Sequence, residues 1–231
     1  MKLVMLIVCF GMELFSDIPA GFSDLKLYGL KGKVKSIANI TYEGNKIDFI
    51  IKDTSDWISK EFIEYDKDGF IIEKKEVQKR TNSNYEILTK YVRNDSGTIS
   101  TTYRDSKILN VANRHWLTDS SFEVIQKNTK GELQIYMYQV TDNNFLLKSG
   151  ELKYYSSPDS VTYQEKFEVT QNEDAKGDKT FSSVFPRINN KLVMRDYTKF
   201  DKQGNPTETH LMQNGLRLGF RRTFSEYTYY R

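Results

Sequence analysis

The chain is punctuated by one kind of turn. Tyr65-Asp66-Lys67-Asp68-Gly69, Asn94-Asp95-Ser96-Gly97, Asn128-Thr129-Lys130-Gly131 and Phe200-Asp201-Lys202-Gln203-Gly204 each set an Asp or Asn three residues before a Gly. Ala175-Lys176-Gly177 is a weaker copy. Such a unit restricts the backbone severely. The Asx side chain accepts backbone N–H groups ahead of it and opens a type I turn. The glycine then takes the left-handed position that closes a hairpin as a bulge. Asn189-Asn190 and Asn214-Gly215 read as tighter two-residue turns. Turns of this kind at loosely regular intervals predict an array of hairpins.

The segments between the turns alternate. Val161, Tyr163, Glu165, Phe167 and Val169 share one face of a strand. Leu133, Ile135 and Met137 share another, with Tyr136, Tyr138 and Val140 on its reverse. Ile47, Phe49 and Ile51 repeat the pattern, as do Tyr85, Ile87, Thr89 and Tyr91. The 15 Tyr, 14 Phe and 2 Trp against 4 Pro also favour strands. Helical spacing is confined to residues 54–62 (TSDWISKEF), which predict one or two capped turns. A length of 231 residues suits one large β domain. The expected fold is all-β: an antiparallel meander of β-hairpins forming a curved, solenoid-like or half-open sheet.

The first twenty residues read as an address. Lys2 precedes an apolar run, LVMLIVCFGM, over residues 3–12, followed by Glu13, Asp17, Pro19 and Ala20. A membrane-spanning helix needs ~20 apolar residues; this run is half that and matches the core of a secretory signal. The expectation is a signal peptide over residues 1–20, cut between Ala20 and Gly21. That leaves one exported domain, 21–231, in the periplasm or at the cell surface, with no transmembrane helix. Cys9 is the only cysteine and lies inside the run. It is either lost with the signal or acylated as a lipid anchor. Leu6-Ile7-Val8-Cys9 departs from a lipoprotein signal by placing Val8 where a small residue is wanted. On either reading the mature chain has no disulfide, cysteine zinc site or thiol nucleophile.

The aromatic-Asp-x-x-Gly unit followed by an apolar and acidic strand resembles the YD-type hairpin repeat of bacterial surface and exported proteins. The stretch Phe200-Asp201-Lys202-Gln203-Gly204-Asn205-Pro206-Thr207, with Asn214-Gly215, Arg221-Arg222 and Tyr227-Thr228-Tyr229-Tyr230, is similar to the ending of exported proteins of unknown function from the Bacteroidota. Leu30-Lys31-Gly32-Lys33-Val34-Lys35-Ser36-Ile37 is similar to the start of their mature domains. In those proteins a Trp often follows Gly-Asn; here Pro206 takes its place. The resemblance covers residues 28–104 and 195–231. It implies an exported hairpin array and brings no activity with it.

Chemistry is sparse in the sequence. Lys plus Arg number 34 and Asp plus Glu 31, a net charge of +3, without the concentrated basic surface of a nucleic-acid binder. His115 and His210 lie far apart, and no Gly-x-Ser-x-Gly elbow accompanies them. Glu61 with Glu64, and Glu165 with Glu168, come nearest to a glycosidase pair, but neighbours on one strand do not flank a substrate. Asp66-Lys67-Asp68-Gly69 resembles the opening of a calcium loop and lacks its third acid and closing Glu. No catalytic, cofactor or metal residue is therefore assigned. Tyr136, Tyr138, Tyr154, Tyr163 and Tyr229 are the candidate binding residues. A row of exposed tyrosines would take a glycan or a protein partner; the competing reading is cross-strand pairing within the sheet. The expected function is that of a non-enzymatic binding or scaffold protein, its partner a protein, glycan or lipid of the cell envelope. The alternative is a carrier of a lipid or other apolar ligand in the concavity of the sheet.

Overall fold

The computed structural model describes residues 17–44, 57–79, 83–157, 160–173, 179–185, 191–213 and 220–231, to which every statement below refers. The apolar run with Cys9, the alternation at Ile47–Ile51, Gly177, Asn189-Asn190 and Asn214-Gly215 lie outside them.

The period-two segments become strands β1 (Val34–Gly44), β2 (Trp57–Tyr65), β3 (Ile71–Lys79), β4 (Asn84–Asn94), β5 (Gly97–Arg104), β6 (Lys107–Thr118) and β7 (Ser121–Asn128). They continue as β8 (Leu133–Thr141), β9 (Leu147–Ser157), β10 (Ser160–Glu173), β11 (Lys179–Phe185), β12 (Lys191–Phe200), β13 (Pro206–Gln213) and β14 (Phe220–Tyr229). Each pairs antiparallel with its neighbours in sequence, the meander that the turn spacing implies. β1 also pairs with β14, from Val34 opposite Tyr229 to Gly44 opposite Phe220. The strand order thus returns on itself and leaves no open sheet edge. Residues 57–62, read from the sequence as part of a short helix, belong to β2. Cross-strand partners on both sides outweigh that local signal.

Three of the Asx-Gly turns form as their chemistry dictates. Asp66 Oδ1 accepts the N–H groups of Asp68 and Phe70, both at 2.9 Å, and Gly69 has φ +88°. Asn128 and Asp201 repeat this geometry, with Gly131 at +80° and Gly204 at +83°. The turn at Asn94 differs. Asn94 pairs directly with Gly97 across a two-residue turn, and Gly97 belongs to β5. Its glycine is required by proximity: a Cβ there would lie 1.7 Å from the carbonyl oxygen of Arg114. A further turn of the same design has no glycine. Asp142 Oδ1 accepts from Asn144 at 2.8 Å and Leu146 at 2.9 Å, while Phe145 occupies the left-handed position with φ +65°.

Phe145 is held there by what it touches, the segment before β1. Residues 18–33 cross one end of the ring and carry the helix α1 (Asp24–Leu27), whose N-cap Ser23 accepts from the Lys26 N–H. Phe22 meets Trp116 at 4.7 Å, Phe145 at 5.5 Å and Phe70 at 5.9 Å between ring centroids. The two buried apolar clusters each contain one residue of this plug. Leu25 lies with Val34, Ile37, Tyr65 and Ile71, and Phe22 with Phe70, Trp116 and Phe122. Backbone bonds tie the plug to successive turns, from Ile18 to the Asp95 carbonyl and from Leu25 to the Gly69 carbonyl. The fully buried Asn205 amide bridges the Lys31 backbone on both sides, at 2.6 and 2.8 Å.

Gly97→Ala and Gly131→Ala separate the two uses of glycine. A Cβ at Gly131 meets nothing within 4 Å, so its replacement should cost only the ~1–2 kcal/mol of a left-handed residue. Gly97→Ala must push β5 away from β6 and should cost clearly more. Urea midpoints measure the difference; equal midpoints would contradict the close approach at Gly97.

Candidate binding site

The ring of strands has an inner face whose residues alternate with outer ones. On β4 these are Ile87, Thr89 and Tyr91; on β5, Thr98, Ser100 and Thr102; on β6, Asn110, Ala112 and Arg114. Val124 and Gln126 continue the series on β7. Register aligns them in rows across the strands. Thr89 faces Thr102, and Thr102 faces Asn110. Tyr91 faces Ser100, Ser100 faces Ala112, and Ala112 faces Gln126. These residues line a half-open cavity of about 310 Å³, at the small end of the ~300–1,000 Å³ range of ligand pockets.

The plug forms one wall of this cavity through Asp24 and Tyr28. Asp24 is buried, and its carboxylate is fully engaged. Oδ1 accepts from Arg114 at 2.7 Å and Oδ2 accepts from the Ile71 N–H at 2.9 Å. Arg114 in turn donates to Thr98 Oγ1 at 3.0 Å and lies over the rings of Phe22 and Phe122. Three elements far apart in sequence therefore converge on one carboxylate, in surroundings where a lost partner is costly.

Tyr28 follows α1 and projects into the cavity. Tyr28 is itself 59% accessible, yet burial raises its phenol above the ordinary range, with Asp24 adding to the effect. Both observations hold because Tyr28 lines a half-open cavity, surrounded by protein atoms yet in contact with solvent. Burial likewise raises Tyr91 and the neighbouring Tyr65, so these phenols stay protonated and can donate as well as accept. Lys74 lies across from them. Burial opposes its charge, but Glu61, and Glu76 more weakly, outweigh that cost and hold the ammonium above its usual range. Asn39 donates to the same Glu61 at 2.8 Å.

The five tyrosines singled out from the sequence do not form one row. Tyr136 and Tyr138 are on the outer face, where Lys153 lies over the Tyr136 ring at 5.5 Å. Tyr154 and Tyr163 face inward and pack edge to face at 5.7 Å. Tyr229 donates to Asp201 and accepts from Asn205 at 2.8 Å, clamping the last strand to the turn that receives the plug. Burial and the Asp201 carboxylate push its phenol up to about 12. The carboxylate candidates separate too. Glu61 faces inward with Ile63 while Glu64 faces outward, and Glu165 and Glu168 split in the same way. An i, i+3 spacing on a regular strand cannot do otherwise. His115 pairs with Glu123 on the outer face of β6, and His210 bonds Glu208 at 2.9 Å on β13, so the two histidines share no site. Among the described residues no three His, Cys, Asp or Glu side chains are grouped to hold a metal. The asparagine, glutamine and threonines of the inner face carried no sequence signal beyond their parity within the strands.

Compared with protein-family models, curated proteins and solved structures, the chain matches none.

Asp24→Asn tests the floor of the site. It keeps an oxygen for the Ile71 amide but leaves the Arg114 charge buried and uncompensated, an expected cost of ~3–5 kcal/mol. Adding Arg114→Met should recover most of that loss. A single variant within ~0.5 kcal/mol of the parent in urea unfolding would contradict the pairing.

Proposed function

We propose that this chain is an exported, non-enzymatic binding protein of the periplasm or cell surface, and that its ligand site is the cavity inside the ring. The address rests on the leader-like run over residues 1–12 and on the resemblance to exported YD-type hairpin proteins. Among the described residues no helix is long and apolar enough to cross a membrane. Among the described residues the contacts of the plug begin at Ile18. A cut after Ala20 would give up its bond to Asp95 but would leave Phe22, Asp24 and Leu25 in place.

The observation that carries the binding reading is a half-open cavity on the inner face whose lining mixes polar and apolar groups. Interiors are normally closed by apolar packing. Here Thr89, Ser100, Thr102, Asn110 and Gln126 line the cavity beside Ile71, Ile87, Ala112 and Val124. Hydroxyls and amides in such a position hold either water or a polar ligand. An alkyl chain lying against them would leave donors and acceptors unmatched, whereas a ligand with both polar and apolar faces would match the whole lining. The charged groups nearby are engaged with one another, Asp24 with Arg114 and Lys74 with Glu61, as in a binding wall rather than a catalytic centre.

Thermal unfolding in the presence of water-soluble metabolites and of medium-chain fatty acids tests this reading. A bound ligand raises the melting temperature by mass action. The expected result is a shift from a polar compound that disappears in Ala112→Phe, which fills the cavity from its wall. A response to fatty acids alone, or one unchanged in Ala112→Phe, would contradict it. Fractionation of the native host with an intact mass tests the address; an uncleaved cytoplasmic chain would overturn it.

A further inference from the structure

Resting on the cavity reading above, we infer that the ligand is an uncharged, ring-shaped polyol, a sugar of one or two units. Three features of the lining converge on that class. The first is charge. The lining brings two acids, Asp24 and Glu76, and two bases, Lys74 and Arg114, and the inward-facing Glu61 adds a third acid against Lys74, so no cation is left over for an anionic ligand. Each base already has a carboxylate: Arg114 meets Asp24 at 2.7 Å, and Lys74 is shared between Glu61 and Glu76. A uronate would enter without a counter-charge and would have to break one of these pairs, a cost that a neutral ring avoids.

The second feature is hydrogen-bond type. Thr89 and Thr102 face one another across β4 and β5, with their hydroxyls 3.3 Å apart. Asn110 follows Thr102 in register, and Gln126 lies one row away beyond Ala112. Hydroxyls and amides each both donate and accept. A ligand matched to such a grid must do the same at several points around its edge, which is what the hydroxyls of a pyranose ring offer. Amino acids and fatty acids concentrate their polarity at one end.

The third is the aromatic surface. Tyr28 and Tyr91 reach the cavity from different elements, the plug and β4, and both phenols stay neutral. An aromatic ring with a polar tip gives a sugar a flat apolar contact for its C–H face and a hydroxyl for its rim. The space of about 310 Å³ admits a short saccharide and not a polymer chain.

Titration calorimetry on the full domain tests the assignment with glucose, galactose, N-acetylglucosamine and cellobiose. Glucosamine, galacturonate and decanoate serve as the charged and apolar probes. The expected result is binding of at least one neutral saccharide, with its charged counterpart at least tenfold weaker. Thr89→Val, which keeps the shape of the side chain, and Tyr28→Leu, which removes the ring, should each weaken that saccharide tenfold or more. The outer-face variant Tyr138→Ala should leave it unchanged. Melting curves identify any variant that fails to fold, and either inner-face variant alone suffices. A charged or apolar probe that binds best, and is lost in Ala112→Phe, would overturn the sugar assignment while the cavity reading stands. Binding of a neutral saccharide lost in Tyr138→Ala but kept in Thr89→Val and Tyr28→Leu would overturn both, as would the absence of binding by every probe.

Discussion

The carboxylate of Asp24 is the contact on which the rest of this structure depends. A sheet that curls into a ring with polar groups on its inner face cannot close its interior by packing side chain on side chain. It needs an apolar seal at an end, and the sequence supplies one in residues 18–33. That seal must also be locked in rotation and depth. Asp24 does this by accepting from Arg114 on β6 and from the backbone of Ile71 at the start of β3. The apolar partners follow from the lock. Phe22 enters one buried cluster and Leu25 the other, each burial worth ~1.5–3 kcal/mol. Neither cluster is complete with strand residues alone.

This division of labour explains why the cavity can remain polar. Apolar burial is concentrated where the plug meets the turns, and β4 to β7 carry Thr, Ser, Asn and Gln among the apolar residues of their inner face. The left-handed Phe145 belongs to the same economy. A glycine would fit its turn without strain, but only an aromatic side chain there reaches Phe22 and Trp116. Local strain at one residue is outweighed by contacts that the plug requires.

Much of the architecture was legible in the sequence because turn chemistry is local. Asp66, Asn128 and Asp201 open their turns with their own side chains, and Gly69, Gly131 and Gly204 close them. The turn at Asp142 was missed because its left-handed residue is a Phe, justified only by contacts with a distant segment. Gly97 was assigned to the wrong task for a similar reason, since its constraint comes from the Arg114 backbone across the strand pair. The plug was illegible because Phe22-Ser23-Asp24-Leu25 has neither the length of a helix nor the alternation of a strand. The tyrosines show the limit most clearly. Parity places residues on one face within a strand, but relating one strand to the next needs the register, and bulges such as that between Val161 and Tyr163 shift it. The inner-face hydroxyls could be recognised as a site only once those registers were known.

Amide hydrogen exchange at Leu25 and Ile71 tests the dependence of the barrel on its plug most directly. Both amides are held by plug contacts, Leu25 by the Gly69 carbonyl and Ile71 by Asp24. If plug and ring form one cooperative unit, the two should exchange only with global unfolding, as slowly as amides in the centres of β5 and β6. Exchange at the rate of exposed turn amides, with the strands still protected, would show that the ring stands without its plug and would contradict the account.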